Sequence, residues 1–177
     1  IEQLPSVALN NVPKISQMLL DIPDSNRVCS PTSCSMLLSY LTKSAVCPKE
    51  FAKQCYDKGL DSFGSWPFNM AHAFERCKGK NWFFNTRLNS FVDLHKQLKR
   101  GLPVIVSVRG TLPGAPQSFP NGHLLVVVGW DAKEKSVICH DPSCKTNEGV
   151  CIKYKCKDFL QAWERSRRLC YWVEPMA

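Results

Sequence analysis

The sequence lacks several features that would place it in a specialised class of protein. No apolar run approaches the roughly 18 to 20 residues that a membrane-spanning helix needs, so we expect no integral membrane segment. There is no low-complexity tract and no repeat at a solenoid period, which excludes repeat architectures. No two cysteines have the two-residue spacing of a zinc knuckle, so we expect no metal site, and we expect no cofactor.

The start of the chain lacks both a signal peptide and an initiating Met. It begins at Ile1, which indicates a segment trimmed from a longer product. What is present is 177 residues, of which 44% are hydrophobic and 21% charged, close to globular averages. This length predicts one domain over residues 1–177, and we expect a monomer. Residues 1–14 are predicted to form an extended lead-in because Pro5 and Pro13 disfavour a helix.

The formal charge of +8 favours anionic surroundings, such as a cell envelope, a nucleic acid or an acidic substrate. Lys and Arg residues become denser toward the C-terminus, but Asp158 and Glu164 lie among them. No aromatic-rich nucleic-acid motif accompanies them. We therefore expect a solvated basic face and no nucleic-acid partner.

Ten cysteines are many for a domain of this size. In an oxidising compartment most of them would pair as disulfides, whereas in a reducing one they would be small buried apolar side chains. We favour a bacterial protein, secreted or in the cell envelope, with a few local disulfide bonds. The alternative is an exported effector that acts in the reducing cytosol of a host.

One of these cysteines, Cys29, stands at the predicted start of a buried helix. Ser30 is a plausible N-cap, and Pro31 suits the first helical position, where no N–H is needed. Apolar residues then recur at helical spacing through Leu41. A thiol at a helix N-terminus lies at the positive end of the helix dipole, which favours thiolate over thiol.

The order of the predicted elements indicates an α+β fold. Helices are expected mainly in the N-terminal half, and strands rich in Val and Ile mainly in the C-terminal half. We therefore predict N-terminal helices packed on a C-terminal antiparallel sheet, with one site where the two halves meet.

A histidine and an aspartate bracket the most hydrophobic hairpin in the chain. Gly122-His123 opens the run that ends at Trp130, and Asp141-Pro142 follows the returning strand. If the two strands pair, the Asp141 carboxylate lies beside the His123 imidazole. Asp131 is the alternative carboxylate, but it lies at the far end of the hairpin. His140 would point to the opposite face of the strand.

The chain also resembles a known family. The motifs are Cys-x-Pro-Thr-Ser-x-x-Met-Leu-x-x-Tyr from Cys29, Trp-Pro-Phe-Asn-x-Ala-x-Ala from Trp66, Gly-x-Pro-Val-Ile-Val-Ser-Val from Gly101, Gly-His-x-x-Val-Val-x-Gly-Trp-Asp from Gly122, and Asp141-Pro142. Together they resemble the papain-like cysteine peptidases related to the bacteriocin-processing, double-glycine leader peptidases, and most of all their stand-alone bacterial branch.

This resemblance implies a papain-like fold and a set of residue roles. Cys29 would be the nucleophile, His123 the general base and acid, and Asp141 the orienting residue of a catalytic triad. A Gln upstream of the nucleophile supplies an oxyanion donor in this family, and Gln17 is the candidate. The gap from Gln17 to the nucleophile is longer than in the leader peptidases, so the loop over residues 21–27 has to bulge.

These observations predict a cysteine hydrolase that cleaves peptide or isopeptide bonds in a peptide or protein substrate through a Cys-His-Asp triad. Two alternatives remain open. The same triad could serve an acyltransferase or amidase, or the chain could be a catalytically inactive, disulfide-rich binding module.

Overall fold

The computed structural model describes residues 1 and 3–176 of the chain. Seven strands form one antiparallel sheet: β1 Val7–Ala8, β2 Asn81–Arg87, β3 Val104–Gly110, β4 Phe119–Asp131, β5 Ser136–His140, β6 Cys151–Lys155 and β7 Leu169–Pro175. The strand order is β2-β7-β3-β4-β5-β6, and β1 pairs with β4 at one end of it. The mixed architecture of helices and an antiparallel sheet confirms the predicted α+β class.

Five α-helices accompany the sheet: α1 Cys29–Thr42, α2 Pro48–Cys55, α3 Trp66–Arg76, α4 Phe91–Lys99 and α5 Cys156–Glu164. Short 3-10 helices lie at Gln17–Leu19, Ser25–Arg27 and Glu148–Val150. Helices α1 to α3 pack on one face of the sheet, and α4 and α5 pack on the other. The sheet is therefore covered on both faces, whereas the sequence indicated only the N-terminal helical layer.

The side chains of β4 point alternately to the two faces of the sheet and so contribute to both hydrophobic cores. Val126 and Val128 belong to the core under α1, whereas Leu125 and Val127 belong to the core under α4 and α5. Successive side chains of a strand point to opposite faces, so a strand buried on both faces is apolar throughout. This explains why residues 124–130 form the most hydrophobic run of the chain.

The first turn of α1 differs from the predicted one. The helix begins at Cys29 with Val28 in the capping position, so Ser30 is not its N-cap. Instead, the Ser30 hydroxyl is buried and lies 2.9 Å from Asn69 Oδ1 and 2.7 Å from Tyr171 Oη. These partners from α3 and β7 compete with local capping, and no local sequence pattern reveals them.

The lead-in crosses the end of the sheet as an extended segment. Val7 and Ala8 pair with Trp130 and Gly129, and the N–H of Leu9 donates to the carbonyl of Val128 at 2.8 Å. A Cβ at Gly129 would lie 2.5 Å from the Val7 carbonyl oxygen. Glycine is required there because β1 approaches β4 too closely for any side chain.

All ten cysteines are free thiols in this structure, so the predicted local disulfide bonds are not formed in it. Six of them are buried as small apolar side chains: Cys34, Cys55, Cys77, Cys139, Cys144 and Cys170. The packing of these six thiols fits the competing interpretation of buried apolar side chains, whereas Cys47 and Cys151 are exposed. The secreted or envelope location, and the monomeric state, stay predictions. Within residues 1 and 3–176, no helix is long and apolar enough to cross a membrane.

Candidate active site

Cys29 is the first residue of α1 and is half-buried. The N–H of Thr32 donates to the carbonyl of Val28 at 3.0 Å, which closes the first helical turn around the cysteine. The N–H groups of the first turn have no intrahelical acceptors, and with the helix dipole they favour negative charge at this end.

His123 and Asp141 form a buried pair at the open end of the β4–β5 hairpin. His123 Nε2 lies 2.7 Å from Asp141 Oδ1, and the two side chains are 5% and 0% exposed. The sheet register places His140 opposite Val126, so His123 and Asp141 lie just beyond the last pair of the ladder and meet there. The hairpin thus brings the two residues together, as its sequence indicated.

The Cys29 thiol and the His123 imidazole lie close enough for each to shift the pKa of the other. Because Asp141 occupies Nε2 of the imidazole, Nδ1 is the nitrogen left to face the thiol. The N–H of Leu124, the next residue of β4, also lowers the pKa of the thiol. The carbonyl of Leu124 accepts from Ser33 Oγ at 3.2 Å, and this contact ties the first turns of α1 to β4.

These contacts shift the proton equilibria of the pair. Burial alone would raise the pKa of Cys29, but the hydrogen bond and positive charge of His123, with the N–H of Leu124, hold it below its ordinary value of 9.0. Burial would lower the pKa of His123, but the charge and hydrogen bond of Asp141, together with Cys29, raise it to about 10. Both shifts favour the thiolate–imidazolium pair over the neutral thiol and imidazole.

The buried Asp141 carboxylate accepts hydrogen bonds from three residues. Its Oδ1 accepts from His123, from the N–H of Ser143 at 2.9 Å and from Ser143 Oγ at 2.6 Å. Its Oδ2 accepts from Tyr154 Oη at 2.6 Å. Burial would raise the pKa of Asp141, yet the charge of His123 and these donors lower it to about 2. Asp141 is therefore a fixed carboxylate throughout the physiological range.

Phe119 stacks on the imidazole of His123, with ring centroids 4.1 Å apart and ring planes 7° from parallel. The Phe119 side chain is buried, so it also shields the His123–Asp141 pair from water. An aromatic face beside a protonated imidazole stabilises the cation. Sequence reasoning missed Phe119, Ser143 and Tyr154, and only the position of Phe119 four residues before His123 in the same strand is a local signal.

Gln17 is the first residue of the 3-10 helix Gln17–Leu19. It contacts both the loop before Cys29 and the residue after Asp141. Its N–H donates to the carbonyl of Pro142 at 2.8 Å, and its Nε2 donates to the carbonyl of Ser25 at 2.9 Å. The loop over residues 21–27 thus folds back over Gln17, as the long spacing required. Gln17 is 3% exposed, and its Oε1 is buried without a hydrogen-bond partner among the described residues.

The alternative residues lie outside this constellation. Asp131 accepts from the backbone N–H groups of Lys133 and Glu134 in the hairpin turn and from Lys153 Nζ at 2.9 Å. His140 Nδ1 lies 3.0 Å from the Pro13 carbonyl. Within the described part of the chain, no group of three or more His, Cys, Asp or Glu residues is arranged to hold a metal ion.

Comparison with known proteins places this chain in a family. Residues 9–171 match the model of the Peptidase C39-like family. The chain belongs to the Peptidase C39-like family. This confirms the resemblance that the cysteine, Gly-His and Asp-Pro motifs indicated. A search of curated proteins gave no match.

Solved structures share the fold of this C39-like peptidase at low sequence identity. A protein of Bacillus anthracis described as a C39-like peptidase is 20% identical, with a TM-score of 0.69, and the match covers 97% of this chain and all 100% of that one. The peptidase domain of Streptococcus ComA, a bifunctional ABC transporter involved in a quorum-sensing pathway, is 15% identical, with a TM-score of 0.57 and coverage of 94% and 100%.

Xylellain, a cysteine protease from Xylella fastidiosa, is 10% identical, with a TM-score of 0.55 and coverage of 98% of this chain and 87% of that one. At these identities the structures show the fold, and the family match supplies the class of enzyme. Together they confirm the predicted papain-like fold and support a cysteine peptidase.

Proposed function

We propose that this peptidase hydrolyses peptide or isopeptide bonds with Cys29 as nucleophile, His123 as general base and acid, and Asp141 as the residue that orients the imidazole. The observation that carries the proposal is the buried chain of contacts from thiol to imidazole to carboxylate. With His123 Nε2 only 2.7 Å from Asp141 Oδ1, the second ring nitrogen is held toward the thiol.

The reaction proceeds in two stages. The Cys29 thiolate attacks the carbonyl carbon of the scissile bond, the tetrahedral intermediate collapses, and the His123 imidazolium gives its proton to the leaving amine. A thioester between Cys29 and the acyl part of the substrate remains. Water then attacks the thioester, His123 takes a proton from it, and release of the carboxylic acid product restores the thiolate–imidazolium pair.

The oxyanion of each tetrahedral intermediate needs hydrogen-bond donors. The backbone N–H of Cys29, at the helix N-terminus, is one such donor, and we propose the Gln17 amide as the second. The Gln17 Nε2 group has two N–H donors, and it gives one of them to the Ser25 carbonyl. The second N–H is the one that we propose for the oxyanion.

The experiment is a comparison of Cys29→Ala with Cys47→Ala, which removes an exposed thiol at the N-cap position of α2. Under reducing conditions we expect Cys29→Ala to abolish both cleavage of a peptide library and labelling by iodoacetamide at that position, whereas Cys47→Ala retains cleavage. Full activity of Cys29→Ala would contradict the mechanism. Adding an amine nucleophile and analysing the products separates hydrolysis from acyl transfer.

A catalytically inactive, disulfide-linked module is the weaker reading. Cys29 is a free thiol with a lowered pKa beside an imidazole, an arrangement that serves catalysis and not a structural bridge.

A further inference from the structure

A basic pocket of 320 Å³ lies beside the catalytic residues, and we call it the arginine pocket. Its lining includes four arginines, a tryptophan and two serines: Arg87, Arg109, Arg165, Arg167, Trp66, Ser107 and Ser166. We propose that this pocket receives the acidic side chain of an Asp or Glu close to the scissile bond of the substrate. The proposal rests on the peptidase function argued above and gives it a substrate class.

One wall of the arginine pocket adjoins the candidate site through the pairing of β3 with β4. In the β3–β4 ladder Val108 pairs with His123, and Ser107 pairs with Leu124, whose N–H contacts the thiol. A Cβ at Gly122 would lie 3.7 Å from Arg109 Nη2 and 4.0 Å from Ser107 Oγ. The Arg109 guanidinium therefore lies against the residue that precedes the imidazole, with only a glycine between them.

The opposite wall is connected to the nucleophile. Trp66 is the first residue of α3 and is 40% exposed. One turn further along α3, Asn69 contacts the hydroxyl of Ser30, the residue after Cys29. Asn69 and Ser30 are both buried, so this contact fixes α3 against the first turn of α1 and places the exposed Trp66 on the nucleophile's side of the pocket.

The positive charge of the pocket is not neutralised. Among the described residues, no ion pair involves Arg87, Arg109, Arg165 or Arg167. Arg165 Nη1 instead donates to two backbone carbonyls, those of Arg109 at 3.2 Å and Thr111 at 2.9 Å, which fixes the guanidinium and leaves its charge intact.

The neighbouring Arg168 shows the contrast, because its Nη1 contacts the carboxylate of Glu164. Four guanidinium groups around one small cavity repel one another, and an anion bound between them relieves that repulsion. The planar fork of an arginine matches a carboxylate in a bidentate arrangement, which gives specificity for Asp and Glu over their amides.

The test is a set of matched peptides that carry Glu, Gln or Lys at each position within a few residues of the scissile bond. Their C-termini are amidated so that only the side chain can supply a carboxylate. At one position we expect kcat/KM for Glu to exceed that for Gln by about tenfold, equal to about 1.4 kcal/mol, with Lys poorer than Gln. High salt should reduce this ratio because the pocket is open to solvent.

Charge reversal identifies the pocket as the source of the preference. Arg109→Glu should shift the preference from the Glu peptide toward the Lys peptide. Lys133→Glu is the matched control because it also reverses one positive charge, but in the hairpin turn at the far end of β4. It should leave the Glu-to-Gln ratio unchanged.

Binding of the same peptides to Cys29→Ala tests the pocket independently of turnover. A lower Kd for Glu than for Gln supports the pocket even if no peptide is cleaved, and in that case the peptidase proposal alone fails. Equal Kd and equal kcat/KM for Glu and Gln at every position would overturn the pocket proposal, as would an Arg109→Glu variant with an unchanged ratio.

Discussion

Tyr154→Phe tests how much the hydrogen bond from Tyr154 stabilises the Asp141 carboxylate. Tyr154 is fully buried on β6, and its hydroxyl is the donor that the structure gives to Asp141 Oδ2, at 2.6 Å. The substitution removes one oxygen atom and leaves the packing of the ring intact. It therefore leaves a buried, charged oxygen without its partner.

The expected loss follows from the charge of the acceptor. Removing a hydrogen bond to a charged group destabilises a protein by about 1.5 to 3 kcal/mol, against about 0.5 to 1.5 kcal/mol for a neutral one. The neutral control is Tyr40→Phe, whose hydroxyl donates to the Gly101 carbonyl at 2.7 Å, away from the catalytic residues. Urea denaturation near neutral pH measures both variants.

The pH dependence of the free energy of unfolding provides a second test because, of these two hydrogen bonds, only the one to a charged carboxylate makes stability fall at acid pH. The pKa of Asp141 is lowered from 3.8 to about 2, so its contribution, on the order of 2 kcal/mol, is fully present above 3.8 and is lost as pH falls through about 2. Tyr154→Phe raises this pKa, so its acid unfolding should begin at a higher pH than that of the wild type. A loss of stability no larger than in Tyr40→Phe, with the same acid limb, would refute the reasoning.

Three further predictions concern the imidazole and the oxyanion. Phe119→Leu should lower kcat/KM by about fivefold, because losing an aromatic contact of about 1 kcal/mol leaves the His123 ring less fixed; an unchanged value would remove Phe119 from the account. The pH–rate profile should have its alkaline limb near 10, because activity is lost as the imidazolium deprotonates; a limb near 6.5 would mean that Asp141 does not hold the proton on His123. Gln17→Ala should lower kcat by about 100-fold, the usual effect of losing one oxyanion donor; an unaffected kcat would exclude that role.

Much of the fold could be predicted because local chemistry and tertiary packing agree. Pro48 begins α2 at a position that needs no N–H, and the Ser90 hydroxyl accepts from the N–H of Val92 at the start of α4. The β5 strand, Ser136–His140, ends directly before Asp141. The pairing of β4 with β5 follows from a short turn and apolar strands, so the meeting of the hairpin ends could be inferred without any structure.

What the sequence could not predict depends on contacts between distant segments. Tyr154 reaches Asp141 from a different strand, and Ser30 finds Tyr171 at a separation of 141 residues. Neither contact corresponds to a periodic pattern or a characteristic residue spacing in the sequence. The state of the cysteines is a related case, since a cysteine count does not distinguish a disulfide bond from a buried apolar thiol.

The arginine pocket was hidden for the same reason. Its arginines lie on β2, on β3 and in the turn before β7, and the sequence indicated only a solvated basic face. The strand order β2-β7-β3 brings these separated positions to one end of the sheet, next to Gly122.

The central claim is that His123 activates Cys29, and the rate of alkylation of each cysteine tests it most directly. Iodoacetamide at about pH 6 reacts with thiolates, and mass spectrometry follows the ten cysteines separately. We predict that Cys29 is modified before the exposed Cys47 and Cys151, that peptidase activity disappears in step with this modification, and that His123→Ala slows it. Modification of Cys47 or Cys151 ahead of Cys29, or activity that survives complete alkylation of Cys29, would contradict the account.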